Sequence, residues 1–180
     1  KRGETFFKSG DNRNGSDSLV RGLGFLGHGI PSGKGAFLAA LLKQILVKVG
    51  HAMLPKVFLG KRSLDDKRAA GDRLAMRIWH QLSQVWFFQL GPVPTIWAHL
   101  SSLNLSEVYP PTAELATNYA SHAIILGTIP KFSLALRTLD RAIPIAQAHG
   151  DLRTRGEVFF FYGSVLYSAA RYEHSLEKCD

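Results

Sequence analysis

Two glycine-rich stretches in the N-terminal third have the residue types to cradle a phosphate. Gly22-Leu23-Gly24-Phe25-Leu26-Gly27 carries the G-x-G-x-x-G spacing of a dinucleotide-binding turn. There, glycines let backbone amides approach a pyrophosphate. That chemistry needs a strand before the turn, a helix after it, and an acid about 20 residues further on to hold the ribose. After Gly27 no acid occurs until Asp65, and residues His28 to Lys34 read as a loop. Gly29-Ile30-Pro31-Ser32-Gly33-Lys34-Gly35 suggests a phosphate loop. A working loop has four residues between its glycines, and a hydroxyl after the lysine to hold magnesium. Here three residues separate Gly29 from Gly33, and Gly35 follows Lys34. Both stretches are expected to be connectors, with no cofactor-binding residue.

Nucleophiles, metals and acid–base pairs fare no better. Cys179 is the only cysteine, so no internal disulfide forms; this fits a reducing compartment and a cytoplasmic location. No plausible base lies near it, and it reads as a small apolar residue on a packing face. The seven histidines show no metal-ligand spacing. His80, His99 and His122 fall on separate helical runs, and the carboxylates are too dispersed to nominate an acid–base pair. No catalytic residue, no metal ligand and no enzyme activity is assigned.

The elements around these residues are helical. Of 180 residues, 46% are hydrophobic and 20% charged, which argues for a folded chain rather than a disordered one. Leu38, Leu41, Leu42, Ile45, Val49, Ala52 and Met53 fall on one side of a helix, with Lys43, Gln44, Lys48 and His51 on the other. Its apolar stripe is expected to pack inside a helical array, with docking of a basic amphipathic helix on a membrane surface as the less expected alternative. Three lysines and Pro55 interrupt the run from Ala36 to Leu59, so no transmembrane segment is expected. After a loop at Leu59 to Leu64, Asp65-Asp66 suit a helix start. That helix carries Leu74, Ile78, Leu82 and Val85 at helical spacing, with bulk from Trp79, Trp86 and Phe88, and Gly91-Pro92-Val93-Pro94 stops it. Further breaks fall at Tyr109 to Thr112, at Gly127 to Pro130 and at His149 to Asp151. Phe159-Phe160-Phe161-Tyr162 is strand-prone by composition. The helical period nevertheless continues through Val158, Phe161, Val165 and Ala169.

A repeat runs through the C-terminal two thirds. Ala98, Ala135 and Ser175 each open a helix-like run, at intervals of 37 and 40 residues. A period in this range signals stacked helical hairpins. In the last unit Gly163 is followed by Leu166, Ala170, Tyr172 and Ser175, with small residues where helices approach closely and Arg171 and Tyr172 at the turn. The expected fold is all-α, a right-handed α-solenoid of antiparallel hairpins. A degenerate hairpin and connector occupy residues 1–35, and the array occupies 36–180, cut short at its end. Phe161, Val165 and Leu176 are expected to lack the next hairpin as cover.

The spacing from Gly163 to Ser175 resembles the tetratricopeptide repeat. The segment Ile96 to Glu107 is similar to the repeat region of large multidomain bacterial signalling ATPases. So are Gly150-Asp151, Phe161 to Leu166 with Tyr167, and Leu54 to Arg62; Phe6 to Asp11 with Leu19, Leu23 and Leu26 resembles one degenerate hairpin. In that family a nucleotide-binding module precedes the repeats, and kinase or nucleotide-cyclase modules occur elsewhere in the chain. The resemblance implies a non-catalytic scaffold that binds protein or peptide and neighbouring domains of the same chain. The repeat-packing residues are Ala98, Ala135, Gly163, Leu166, Ala170, Tyr172 and Ser175.

Charge supplies the competing reading. Residues 1–73 hold 14 Lys and Arg against 6 Asp and Glu, whereas residues 74–180 hold 8 of each. A basic half attracts nucleic acid, anionic lipid or an acidic partner. The basic residues are scattered rather than clustered, so nucleic acid is the alternative partner and not the expected one.

Overall fold

The computed structural model describes residue 5 and residues 9–179, with side chains to residue 176. Helix accounts for 78% of the described residues, and no strand occurs among them. The protein is all-α. The Cys179 side chain and the segment Phe6-Phe7-Lys8 lie outside what is described.

Local signals set the helix ends. Helix α1 (Asn12–Phe25) starts at Asp11, whose carboxylate accepts the Asn14 amide at 3.1 Å. It closes at Gly27, where φ is +79° and the His28 amide donates to the Leu23 carbonyl at 2.9 Å. The G-x-G-x-x-G stretch is therefore the last turn of a helix and its left-handed cap. The second glycine stretch leads into α2 (Lys34–Met53), which a single turn, α3 (Pro55–Phe58), follows. Next come α4 (Ala69–Gln89) and α5 (Pro92–Glu107). Pro92 sits in the first turn of α5, where its missing amide hydrogen costs nothing. Then follow α6 (Ala113–Thr128), α7 (Phe132–His149), α8 (Leu152–Ser168) and α9 (Tyr172–Cys179). Thr112 caps α6 and Asp151 caps α8, accepting the Leu115 and Thr154 amides at 3.3 and 2.8 Å.

Some expectations shift. Asp65 and Asp66 lie in the turns before α4; Asp72 is the acid of its first turn, held by Arg62 at 3.0 Å. Leu74 and Phe88 face solvent, because α4 buries Ala75, Ile78, Trp79, Leu82 and Trp86 along a stripe turned away from both. The run from Phe159 to Tyr162 is helical, inside α8, with Val158 and Val165 buried on its inner stripe. Of the three residues expected to lack cover, Leu176 is exposed, Phe161 is half-buried and Val165 is buried.

The chain divides into two compact units, residues 1–108 and 109–180. The boundary expected after residue 35 falls at the start of α2, within the first unit. In that unit α4 and α5 form an antiparallel pair across the short turn at Leu90-Gly91. Helix α1 rests on α4, and α2 rests on α5. Three tryptophans knit the pair. Trp86 stacks on Trp97 with ring centroids 6.3 Å apart, and Trp79 meets Trp97 edge-on at 6.4 Å. Phe37 of α2 stands edge-on to Trp97 at 5.6 Å, and the Trp86 indole donates to Ser16 Oγ of α1 at 2.8 Å.

In the second unit α6 packs on α7 and α8, and α8 packs on α7 and α9. Ala116, Ala120 and Ala123 of α6 and Ala135, Ala142 and Ala146 of α7 are buried, so small side chains let these backbones come close. Polar groups tie the pairs at their margins. Arg141 donates to the Tyr119 hydroxyl at 2.9 Å, and the Tyr162 hydroxyl donates to Asp140 at 2.9 Å. Burial and the Asp140 carboxylate push the Tyr162 phenol up to about 12.

Candidate functional site

Two arrangements stand out, a buried charge cluster in the first unit and a repeated small-residue seam.

The cluster lies where α2 meets α5. Phe37, Leu41, Gln44, Lys48 and His51 turn towards α5, a 4-3-4-3 spacing that keeps one narrow face of α2 in contact. The Glu107 carboxylate accepts from Lys48 Nζ at 2.5 Å through one oxygen and from His51 Nδ1 at 2.8 Å through the other. Glu107 is 2% exposed and His51 4%. One turn earlier on α5, Asn104 Nδ2 donates to the Gln44 carbonyl and to its side-chain oxygen, at 2.9 and 2.8 Å. The Phe58 ring stacks on His51 at 5.6 Å. The loop after α3 then caps α5: the Gly60 and Arg62 amides donate to the Glu107 and Val108 carbonyls at 2.9 and 2.8 Å.

Burial alone would raise the Glu107 carboxyl. The Lys48 ammonium, with the hydrogen bonds from Lys48 and His51, outweighs burial and holds it below its ordinary value. A carboxylate on Nδ1 also fixes the imidazole's orientation, the arrangement that readies a histidine as a base. At 4% exposure the ring offers no approach to a substrate atom. The cluster's physical effect is therefore to tie α2 to α5. Removing one partner of such a group costs about 3 kcal/mol or more, because the others stay buried and uncompensated.

This reverses the expected orientation of α2. Leu38, Leu42, Ile45, Val49 and Met53, expected inside, are exposed, and of that stripe Leu41 alone is buried. Gln44, Lys48 and His51, expected outside, make the contact. The partners that decide this, Asn104 and Glu107, lie 56 to 60 residues away in sequence. A sequence sign existed in retrospect: Glu107 is the lone acid of α5, and Gln44, Lys48 and His51 recur along one line of α2.

The seam joins the predicted repeat residues unevenly. Ser175 Oγ donates to the Gly163 carbonyl at 2.8 Å, so this pair is brought together, with both residues buried. Leu166 is buried beside it in sequence, on α8. Ala135 is the fourth residue of α7, as Ser175 is of α9, and is fully buried. Ala98 is also buried, but it is the seventh residue of α5; the fourth is Thr95. The second helices start at 92, 132 and 172, a constant interval of 40. The matching small residues are thus Thr95, Ala135 and Ser175, and twelve positions before each stand Ser83, Ala123 and Gly163, all buried. Ala98 lies one helical turn beyond that fourth position, because Pro92 and Pro94, which read as a helix stop in the sequence, stand in the first turn of α5.

Ala170 and Tyr172 leave the seam. Ala170 is exposed at φ +58°, in the left-handed position that ends α8, and the Arg171 amide donates to the Leu166 carbonyl at 2.9 Å. It is small because of the turn, not because helices meet there. Tyr172 is exposed, its ring against Tyr167 at 5.3 Å.

His80, His99 and His122 lie on α4, α5 and α6, and no group of three or more potential metal-binding side chains gathers among the described residues. No family model, no curated protein and no solved structure matches this chain.

Proposed function

We propose that this chain is a non-catalytic scaffold of tetratricopeptide-like hairpins, wound as a right-handed α-solenoid. It engages protein or peptide partners and neighbouring domains, in the cytoplasm, within a larger bacterial signalling ATPase. The observation that carries the reading is the 40-residue interval. Second helices begin at 92, 132 and 172, and a buried small residue sits at the fourth position of each. The packing order in the second unit supports it. The first helix of one pair (α6) lies against its own second helix (α7) and against the first helix of the next pair (α8). Hairpins that bury their apolar faces against neighbours leave a lateral surface of aligned first helices, which such arrays use for recognition. In residues 109–180 that surface comes from α6 and α8, with Phe160 and Tyr167 exposed on α8. The signalling-ATPase setting rests on the segments Ile96 to Glu107 and Leu54 to Arg62.

Selection of peptides from a random display library against the folded chain tests the reading. Binding of micromolar strength or better, with amide-exchange protection on α6 and α8, is expected. Failure to recover any saturable binder, or protection that avoids both helices, would contradict it.

A further inference from the structure

Helix α2 presents to solvent the side that an isolated amphipathic helix would hide. Leu38, Leu42, Leu46, Val49 and Met53 run along its outer face, all exposed, Leu46 at 72% and Met53 at 75%. Exposed Leu54 and Val57 continue the apolar surface into α3. At 20 residues the face is about 30 Å long. Among the described residues α2 is the one helix whose length and composition would let it cross a membrane.

The chemistry of the face selects among its possible occupants. Gln44, Lys48 and His51 are committed to α5, so Lys43 is the only charged or hydrogen-bonding side chain left on the outer face between Gly35 and Met53. A protein interface of useful size carries about one hydrogen bond per 100–200 Å², and this face offers almost nothing to make one. The charge around it has one sign. Between Asp17 and Asp65 there are seven basic residues and no acidic one. Lys34 is exposed at one end of α2, Lys43 along its flank, and Lys56 and Lys61 beyond the other end. A second copy would set these like charges against each other. An anionic lipid surface instead takes the apolar side chains between its acyl chains and the lysines at its headgroups, where long stems reach outward. Crossing the bilayer is a different matter. The inner face of α2 is bound through Lys48, His51 and Gln44 to Glu107 and Asn104, so a spanning α2 would take that cluster into hydrocarbon.

We propose that the outer face of α2 is a docking surface for anionic membranes, on which the helix lies parallel to the bilayer without spanning it. The proposal stands apart from the scaffold reading, since it uses neither α6 nor α8.

Flotation of the full 180-residue chain with phosphatidylcholine vesicles, with and without about one-third phosphatidylserine, tests it. Binding to the anionic vesicles is expected, weaker on the neutral ones and reduced by salt. Leu42→Asp and Leu46→Asp should each weaken it about tenfold or more, and Lys43→Glu about fivefold or more. Their circular dichroism and melting should stay as in the parent chain, because all three positions are exposed. Four results would overturn the proposal: no binding to either vesicle; equal binding to both; binding that survives Leu46→Asp; or resistance to alkaline carbonate extraction, which marks a spanning helix. A dimer that Leu46→Asp converts to monomers, with no vesicle binding, would overturn it in favour of a second copy.

Discussion

Helices α2 and α7 are 20 and 18 residues long, and each carries an apolar stripe, but they use it in opposite ways. Helix α7 hides its stripe: Ala135, Leu139, Ala142 and Ala146 are buried, and polar side chains such as Asp140 and Arg141 face outward. Helix α2 buries His51 and half-buries Lys48 against Glu107, and leaves Leu42, Leu46 and Met53 in solvent. The neighbours explain the difference. Helices α6 and α8 offer α7 small apolar surfaces, on which area removed from water favours the apolar side. Helix α5 offers α2 a buried carboxylate and a buried amide, and leaving those unpaired would cost more than exposing a few leucines. The direction an amphipathic helix faces is therefore set by the polar groups it must satisfy as well as by its own stripe.

The largest effect should come from breaking the cluster. Glu107→Ala should destabilise the first unit by about 3 kcal/mol, read from the urea midpoint. Leu46→Ser on the same helix pair should change stability by less than about 0.5 kcal/mol. Similar costs for the two would place the apolar face inside after all. The pH dependence sharpens the same point. Because the Glu107 value is lowered on folding, its contribution is present above the unfolded carboxylate range. It disappears as pH falls through the folded value. Glu107→Gln should therefore flatten the acid limb of the stability curve, and an unchanged limb would count against the cluster.

In the second unit the sensitive position is apolar. Gly163→Leu should cost about 2 kcal/mol, because its carbonyl is held within 2.8 Å of Ser175 Oγ across α8 and α9. A loss no greater than at an exposed position of α8 would break the contrast. The smallest effect, and of opposite sign, belongs to the turn. Ala170→Gly should stabilise by about 0.5 kcal/mol, since glycine adopts φ +58° without strain and the exposed methyl packs on little. A thermal melt that moves down would mean that Ala170 packs in the seam.

Much of this was legible in the residues. Glycine and proline at Gly91-Pro92, Pro110-Pro111 and Gly150-Asp151 mark helix breaks, and the helical period overrides the strand-prone run at Phe159 to Tyr162. Ser175 and Gly163 were readable as a pair because both are small, twelve residues apart, on either side of a turn. The phase of the first repeat was less legible. Thr95 and Ala98 are both small and one helical turn apart, and only knowing that Pro92 opens the helix separates them. The inner face of α2 was not legible locally at all, because the groups that attract Lys48 and His51 arrive on a helix more than fifty residues later.

The central claim is that α2 meets α5 through its polar side. Leu41 and Leu42 are adjacent and belong to the same apolar stripe, but Leu41 is 8% exposed and Leu42 54%. Thiol-labelling rates of Leu41→Cys and Leu42→Cys, each in a Cys179→Ser background, test the claim most directly. The cysteine at 42 should react nearly as fast as in urea, while the one at 41 should be protected until the protein unfolds. Protection at both positions would show that the apolar stripe is packed and would contradict it.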